Sequence, residues 1–129
     1  ADQYQTVESL SGLSFAVENG SAGMEQAEAA GLDYVAMDTQ AKALMEVASG
    51  TSDAAIIDLL MAGAMIGEGT SYPDLTYTVQ LNSEEYGVGF RKGSDLAEAF
   101  NNFWKEAYDA GTVMETAKTY GVQESVIEK

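Results

Sequence analysis

Apolar residues along the chain switch repeatedly between a spacing of two and a spacing of about 3.6. LSFAV (13–17) predicts a short buried strand. The Gly-rich turn ENGSAG (18–23) follows, then an Ala- and Glu-rich helix, MEQAEAAG (24–31), stopped by Gly31. DYVAM (33–37) predicts a second strand. Asp38 or Thr39 is placed to cap the next helix, in which Ala41, Leu44, Val47 and Ala48 make one face and Gly50 marks the end. DAAII (53–57) predicts a third strand and LLMAGAMIG (59–67) a third helix. Further strands are expected at LTYTV (75–79) and YGVGF (86–90), each introduced by a turn, EGTSYPD (68–74) and NSEE (82–85).

Strands alternating with helices at this spacing predict an α/β domain. Its sheet should be doubly wound and mostly parallel, with helices on both faces. The style changes after residue 90. RKGS (91–94) makes a turn, Leu96, Phe100, Phe103, Trp104 and Ala107 fall at helical spacing, and Gly111 separates a last short helix carrying Val113, Ala117 and Tyr120. The expected organisation is therefore an α/β lobe over 1–90 and a helical segment over 91–129.

Composition narrows the function. Twenty-one Asp and Glu against six Lys and Arg give a net charge of −15. Nucleic acid and anionic membrane surfaces both call for a basic patch, so neither is an expected partner. Cys and His are both absent from the 129 residues, which removes disulfides, thiolate nucleophiles, imidazole bases and the usual zinc ligands. No metal or cofactor is expected. The most apolar run, residues 54–67, carries Asp58 inside it and is too short to span a bilayer.

In an open parallel sheet, ligands bind beyond the carboxyl ends of the strands, near helix N-termini. The turn containing Glu18, Gly20, Ser21, Ala22 and Gly23 is one such place. Its glycines allow close backbone approach, the helix start offers N–H groups to an anion, and Ser21 adds a hydroxyl. The plainer alternative is a loop with a serine cap. A phosphate loop does not fit, because no Gly-Lys-Ser/Thr ending and no nearby Lys is present. Asp58, between AAII and LLMAGAMI, is the second place. A carboxylate among apolar residues is capped, paired or used. It can cap the third helix, neutralise a ligand cation, or do both. A phosphoryl-accepting receiver would need an acidic pair after the first strand, where only Glu18 stands. Met61, Met65 and the aromatic set Phe100, Phe103 and Trp104 are expected to pack rather than to bind.

The ordered segments LSFAVENGSAGMEQA, YVAMDTQAKALMEVASGTSDAAIIDLLMAGAMI and EEYGVGFRKGSDL resemble the polar amino-acid-binding proteins of bacterial ABC importers. The tail NNFWKEAYDAGTVMETAKTYG resembles their C-terminal helix pair, and the resemblance runs over residues 7–121. It implies a two-lobed clam-shell, of which this chain holds the second lobe and the C-terminal helices, with 86–90 as a hinge crossover. It also implies that the solute-binding role is extracytoplasmic, with the signal segment outside this chain, an amino-acid ligand and a membrane permease as partners, and no catalysis. The family's positions for the ligand's α-carboxylate match Gly20, Ser21 and Ala22. Many members carry a second hydroxyl where this chain has Ala22. Asp58 matches the acid that binds the α-ammonium, and Glu18 a position that touches the ligand side chain in some members. Ligand-sensing ectodomains of receptors and kinases share the fold, as do a few dehydratases of cyclic acids. Without the first lobe and its carboxylate-gripping Arg, binding by this chain is expected to be weak. The stripe Leu96, Phe100, Phe103 and Trp104 is expected to fold back on its own lobe or to exchange with a second copy in a homodimer.

Overall fold

A computed structural model describes residues 2–127. The chain divides into two compact units, Ala1–Ser83 and Glu84–Lys129.

The first unit is built on three parallel strands, β1 (Ser14–Glu18), β2 (Asp33–Met37) and β3 (Ala54–Ile56), in the order β2-β1-β3. Helix α1 (Ala22–Ala30) joins β1 to β2, α2 (Gln40–Ser49) joins β2 to β3, and α3 (Leu59–Met65) follows β3. The two crossovers run in opposite directions along the sheet. Because parallel crossovers are right-handed, α1 and α2 lie on opposite faces. This is the doubly wound α/β arrangement expected from the alternation.

Burial follows the topology. β1 is central, and its Phe15, Ala16 and Val17 are all buried. Phe15 and Val17 pack with Leu10 and with Ala27 of α1. On α2, Ala43 and Leu44 are buried, so the helix covers the sheet with small and branched apolar groups. β2 is an edge, and its Val35 is 52% exposed. Both long helices of this unit end as the sequence predicts, on Gly31 (φ +65°) and Gly50 (φ +77°), the left-handed geometry that an L side chain resists. At the amino end of the sheet, Asp53 fixes the β1–β3 register. Its Oδ2 accepts the Ser14 N–H at 2.8 Å and the Ser14 hydroxyl at 2.9 Å. Its own N–H donates to the Ser14 carbonyl at 2.9 Å. The Tyr34 hydroxyl donates to Glu28 at 2.7 Å, which tethers β2 to α1 and pushes the phenol's pKa up.

Several expected boundaries move. α1 starts at Ala22, so Ala22 and Gly23 belong to the first helical turn rather than to the loop. β3 spans only Ala54–Ile56, and α3 stops at Met65. The strands expected at 75–79 and 86–90 do not form. LTYTV has strand composition, but composition identifies apolar side chains and not a sheet edge able to pair with them. The chain meets the need differently: Val79 at the end of this segment and Leu81 just beyond it pack against the Leu10–Phe15 core without a ladder. In the other segment Tyr86 and Val88 are 72% and 59% exposed, so it lacks the burial that stabilises a strand.

The second unit contains α4 (Leu96–Asp109) and α5 (Thr112–Thr119), joined through Ala110 and Gly111. Phe100 organises it. Its ring lies 5.8 Å from Phe90, 6.5 Å from Phe103 and 6.4 Å from Trp104, the last pair stacked. The aromatic stripe therefore packs partly on itself, while Leu96 and Phe103 stay more than half exposed. Among the described residues, no helix is long and apolar enough to cross a membrane.

Candidate functional site

The order β2-β1-β3 fixes where a ligand can enter. The chain leaves β1 for β2 in one direction and returns past β1 to β3 in the other. The connections that leave β1 and β2 therefore run to opposite faces, and the strand order reverses at β1. The turn 18–21 leaves the carboxyl end of β1 at that switch point, and residues 57–58 leave the end of its neighbour β3.

Glu18 is the last residue of β1, half-buried, and its carbonyl accepts the Ser21 N–H at 3.2 Å to close the turn. Gly20 sits in this turn at φ +71°. Ser21 is the N-cap of α1, and its Oγ accepts the Met24 N–H at 3.1 Å. The cap alternative for Ser21 is therefore realised, and it is compatible with a ligand contact. The hydroxyl accepts through a lone pair and keeps its proton to donate. At a helix start the N–H groups of Ala22 and Gly23 have no carbonyl one turn back, so they point out of the helix with its positive end.

Gly23 has a different role from the one its sequence position suggests. A Cβ built there would lie 3.1 Å from Ile56 Cγ2 and 3.2 Å from the Ile56 carbonyl oxygen. The missing side chain lets α1 approach the end of β3. It draws the Ser21 turn toward the strand that carries Asp58 two residues further on.

Asp58 holds the N-cap position of α3 but makes no side-chain cap. Its carboxylate is taken by Gln40. The Gln40 Nε2 donates to Asp58 Oδ2 at 2.6 Å, and the Asp58 N–H donates to Gln40 Oε1 at 3.0 Å. These two bonds form a closed reciprocal ring between the first residue of α2 and the residue before α3. Asp58 is exposed and Gln40 half-buried.

Gln40 is the residue that the sequence alone does not reveal. The cap of α2 is Thr39, whose Oγ1 accepts the Lys42 N–H at 3.2 Å. Asp38, the other cap candidate, pairs with Lys42, whose ammonium holds its carboxyl below the usual carboxylate range. A glutamine in a first helical turn is ordinary on its own. Only the return of α2 toward β3 gives it meaning.

The site thus offers N–H and O–H donors at the start of α1 and a carboxylate beyond β3. One is complementary to an anion, the other to a cation. Compared with protein-family models, with curated proteins and with solved structures, the chain matches none of them.

Proposed function

We propose that the chain is the ligand-binding lobe of an extracytoplasmic solute-binding protein that takes a polar amino acid for an ABC importer. The observation that carries this reading is the arrangement at the switch point. The donors of Ser21, Ala22 and Gly23 lie on one side and the Asp58 carboxylate on the other, with Gly23 packed against Ile56 at the end of β3. An α-amino acid is a zwitterion. Its carboxylate needs N–H and O–H donors, and its ammonium needs an anion. On this reading Glu18, the last residue of β1, meets a polar or cationic ligand side chain. The reading is one of binding, without catalysis. Its further partner is the membrane permease to which a loaded solute-binding protein delivers.

A two-lobed protein closes over its ligand and strengthens both charge pairings by excluding water. One lobe alone makes half of the contacts. Losing the partner of a buried charge costs about 2–5 kcal/mol, so binding by this chain is weaker than that of a two-lobed protein by about 30- to 3000-fold. The test is an amide-resolved NMR titration of the 129-residue chain with L-glutamine and L-lysine, beside lactate, which lacks the ammonium. The amides of Ala22, Gly23 and Asp58 should shift with the amino acids. They should shift far less with lactate, or with the amino acids in Asp58→Ala. Shifts on another face, or an unchanged response in Asp58→Ala, would refute the reading.

A further inference from the structure

We propose that Gln40 is the positioning residue of the ammonium-binding site, acting on the ligand through Asp58 rather than by touching it; this rests on the amino-acid reading above. Asp58 stands where an aspartate ordinarily turns back to cap its own helix, and α3 follows at once. Capping would swing the carboxylate over the α3 N–H groups. Gln40 holds it elsewhere, by donating from Nε2 to Oδ2 and accepting the Asp58 N–H on Oε1. One amide side chain thereby fixes both the carboxylate and the backbone of the same residue. Two simultaneous bonds set a direction, which a single bond about a rotatable side chain does not.

The fold makes this coupling specific. Gln40 follows β2 and Asp58 follows β3, and β1 lies between those strands. Strands two apart in a sheet are separated by about 9.6 Å. Residues 38 and 39 and the glutamine side chain bridge this distance, because α2 leaves β2 and packs over β1 and β3. The Gln40–Asp58 ring therefore passes beside the carboxyl end of β1, next to the turn that carries Glu18. A shorter amide or a charged group at position 40 cannot reproduce both bonds.

The experiment compares Gln40→Ala and Gln40→Glu in the NMR titration with L-glutamine and L-lysine, each also in the Asp58→Ala background, with far-UV circular dichroism confirming the fold. Glutamate keeps an oxygen to accept the Asp58 N–H but cannot donate to the carboxylate, and it adds a like charge beside it. Gln40→Glu should therefore keep slow hydrogen exchange at the Asp58 amide and still weaken binding about five- to tenfold. Gln40→Ala should lose both the slow exchange and the binding. Neither change should weaken binding further once Asp58 is alanine, because a positioning residue acts only through the group it positions. Binding that is unchanged in Gln40→Glu overturns the proposal, as does an equal loss with and without Asp58. If Asp58→Ala alone leaves the wild-type response intact, or if the wild-type chain shows none, the amino-acid reading falls and this inference falls with it. A loss in Asp58→Ala beside normal binding in both Gln40 variants removes this inference alone. Should Gln40→Ala fail to fold, Gln40→Glu decides, since its isosteric side chain preserves the packing.

Discussion

Val17 and Val35 lie on neighbouring strands of one sheet, so the same substitution at each position measures what the topology contributes. Val17 on β1 is fully buried, and Val35 on β2 is 52% exposed. Truncation to alanine removes the equivalent of two methylenes, about 1.6 kcal/mol of transfer free energy at a fully buried site. At Val17 the surrounding Phe15 and α1 side chains cannot fill the gap, and a cavity of about 50 Å³ adds about 1.2 kcal/mol. At Val35 about half of the transfer term applies and no closed cavity forms, giving about 0.8 kcal/mol.

The expected difference is about 2 kcal/mol, or about 30-fold in the opening equilibrium. That is a large share of the stability of an 83-residue unit, which at typical values is about 4–12 kcal/mol. The chain has two units, so a single global transition would blur the result, and its one tryptophan reports on the other unit. Hydrogen exchange at the β1 amides reads the first unit directly. Their exchange should accelerate about 30-fold more in Val17→Ala than in Val35→Ala. Acceleration of the two variants within a factor of about three would refute the central placement of β1, and with it the switch point on which the site depends.

Further outcomes are fixed by the same structure. The two hydrogen bonds from Ser14, first its N–H and then its hydroxyl, hold the Asp53 carboxyl below its usual range. A lowered folded pKa gives stability that is present above the unfolded value of about 3.9 and is lost as pH falls through the folded one. Thermal melts across acidic pH should therefore show a smaller acid-side loss in Asp53→Asn than in the wild type. Gly31→Ala and Gly50→Ala should each cost about 1–2 kcal/mol by denaturant unfolding, because both positions need the left-handed backbone. Net charge −15 makes the surface self-repelling. The described ion pairs, Lys42–Asp38 and Lys105–Asp109, are exposed single-turn pairs that contribute little. Raising potassium chloride from about 0.1 to about 1 M shortens the screening length from about 10 to about 3 Å, so the melting temperature should rise. A flat or falling dependence would show that repulsion does not limit stability.

The elements most legible in the sequence are those whose signals are local. Gly31 and Gly50 end helices because their backbone geometry excludes other residues, and the period switch between DYVAM and the helix after it is visible within ten residues. The missing strands fail for the converse reason. A ladder at 75–79 depends on a free edge elsewhere in the chain, and no periodicity within LTYTV encodes one. The site divides in the same way. Ser21 is legible as a cap, and Asp58 as a carboxylate out of place in an apolar run. The approach of Gly23 to Ile56 is not legible, because the contact joins residues 33 positions apart.

Asp58 shows why residue type was readable and role was not. Its sequence context poses a chemical problem, a charge beside apolar neighbours at the start of a helix. Of the solutions open to it, to be capped, paired or used, the structure shows pairing, a reciprocal bond to an amide 18 residues earlier that is compatible with use by a ligand. That solution depends on strand order. Had β3 joined the sheet beside β2, α2 would not pass over β1, and a bond between Gln40 and Asp58 would lie away from the end of β1. Because β3 pairs with the far side of β1, the bond instead sits beside the end of the central strand, near the turn whose donors complete the proposed site. The strand order thus decides whether Asp58 lies beside the end of β1, as the proposed zwitterion site requires, and the paired valine substitutions test that order without requiring any ligand.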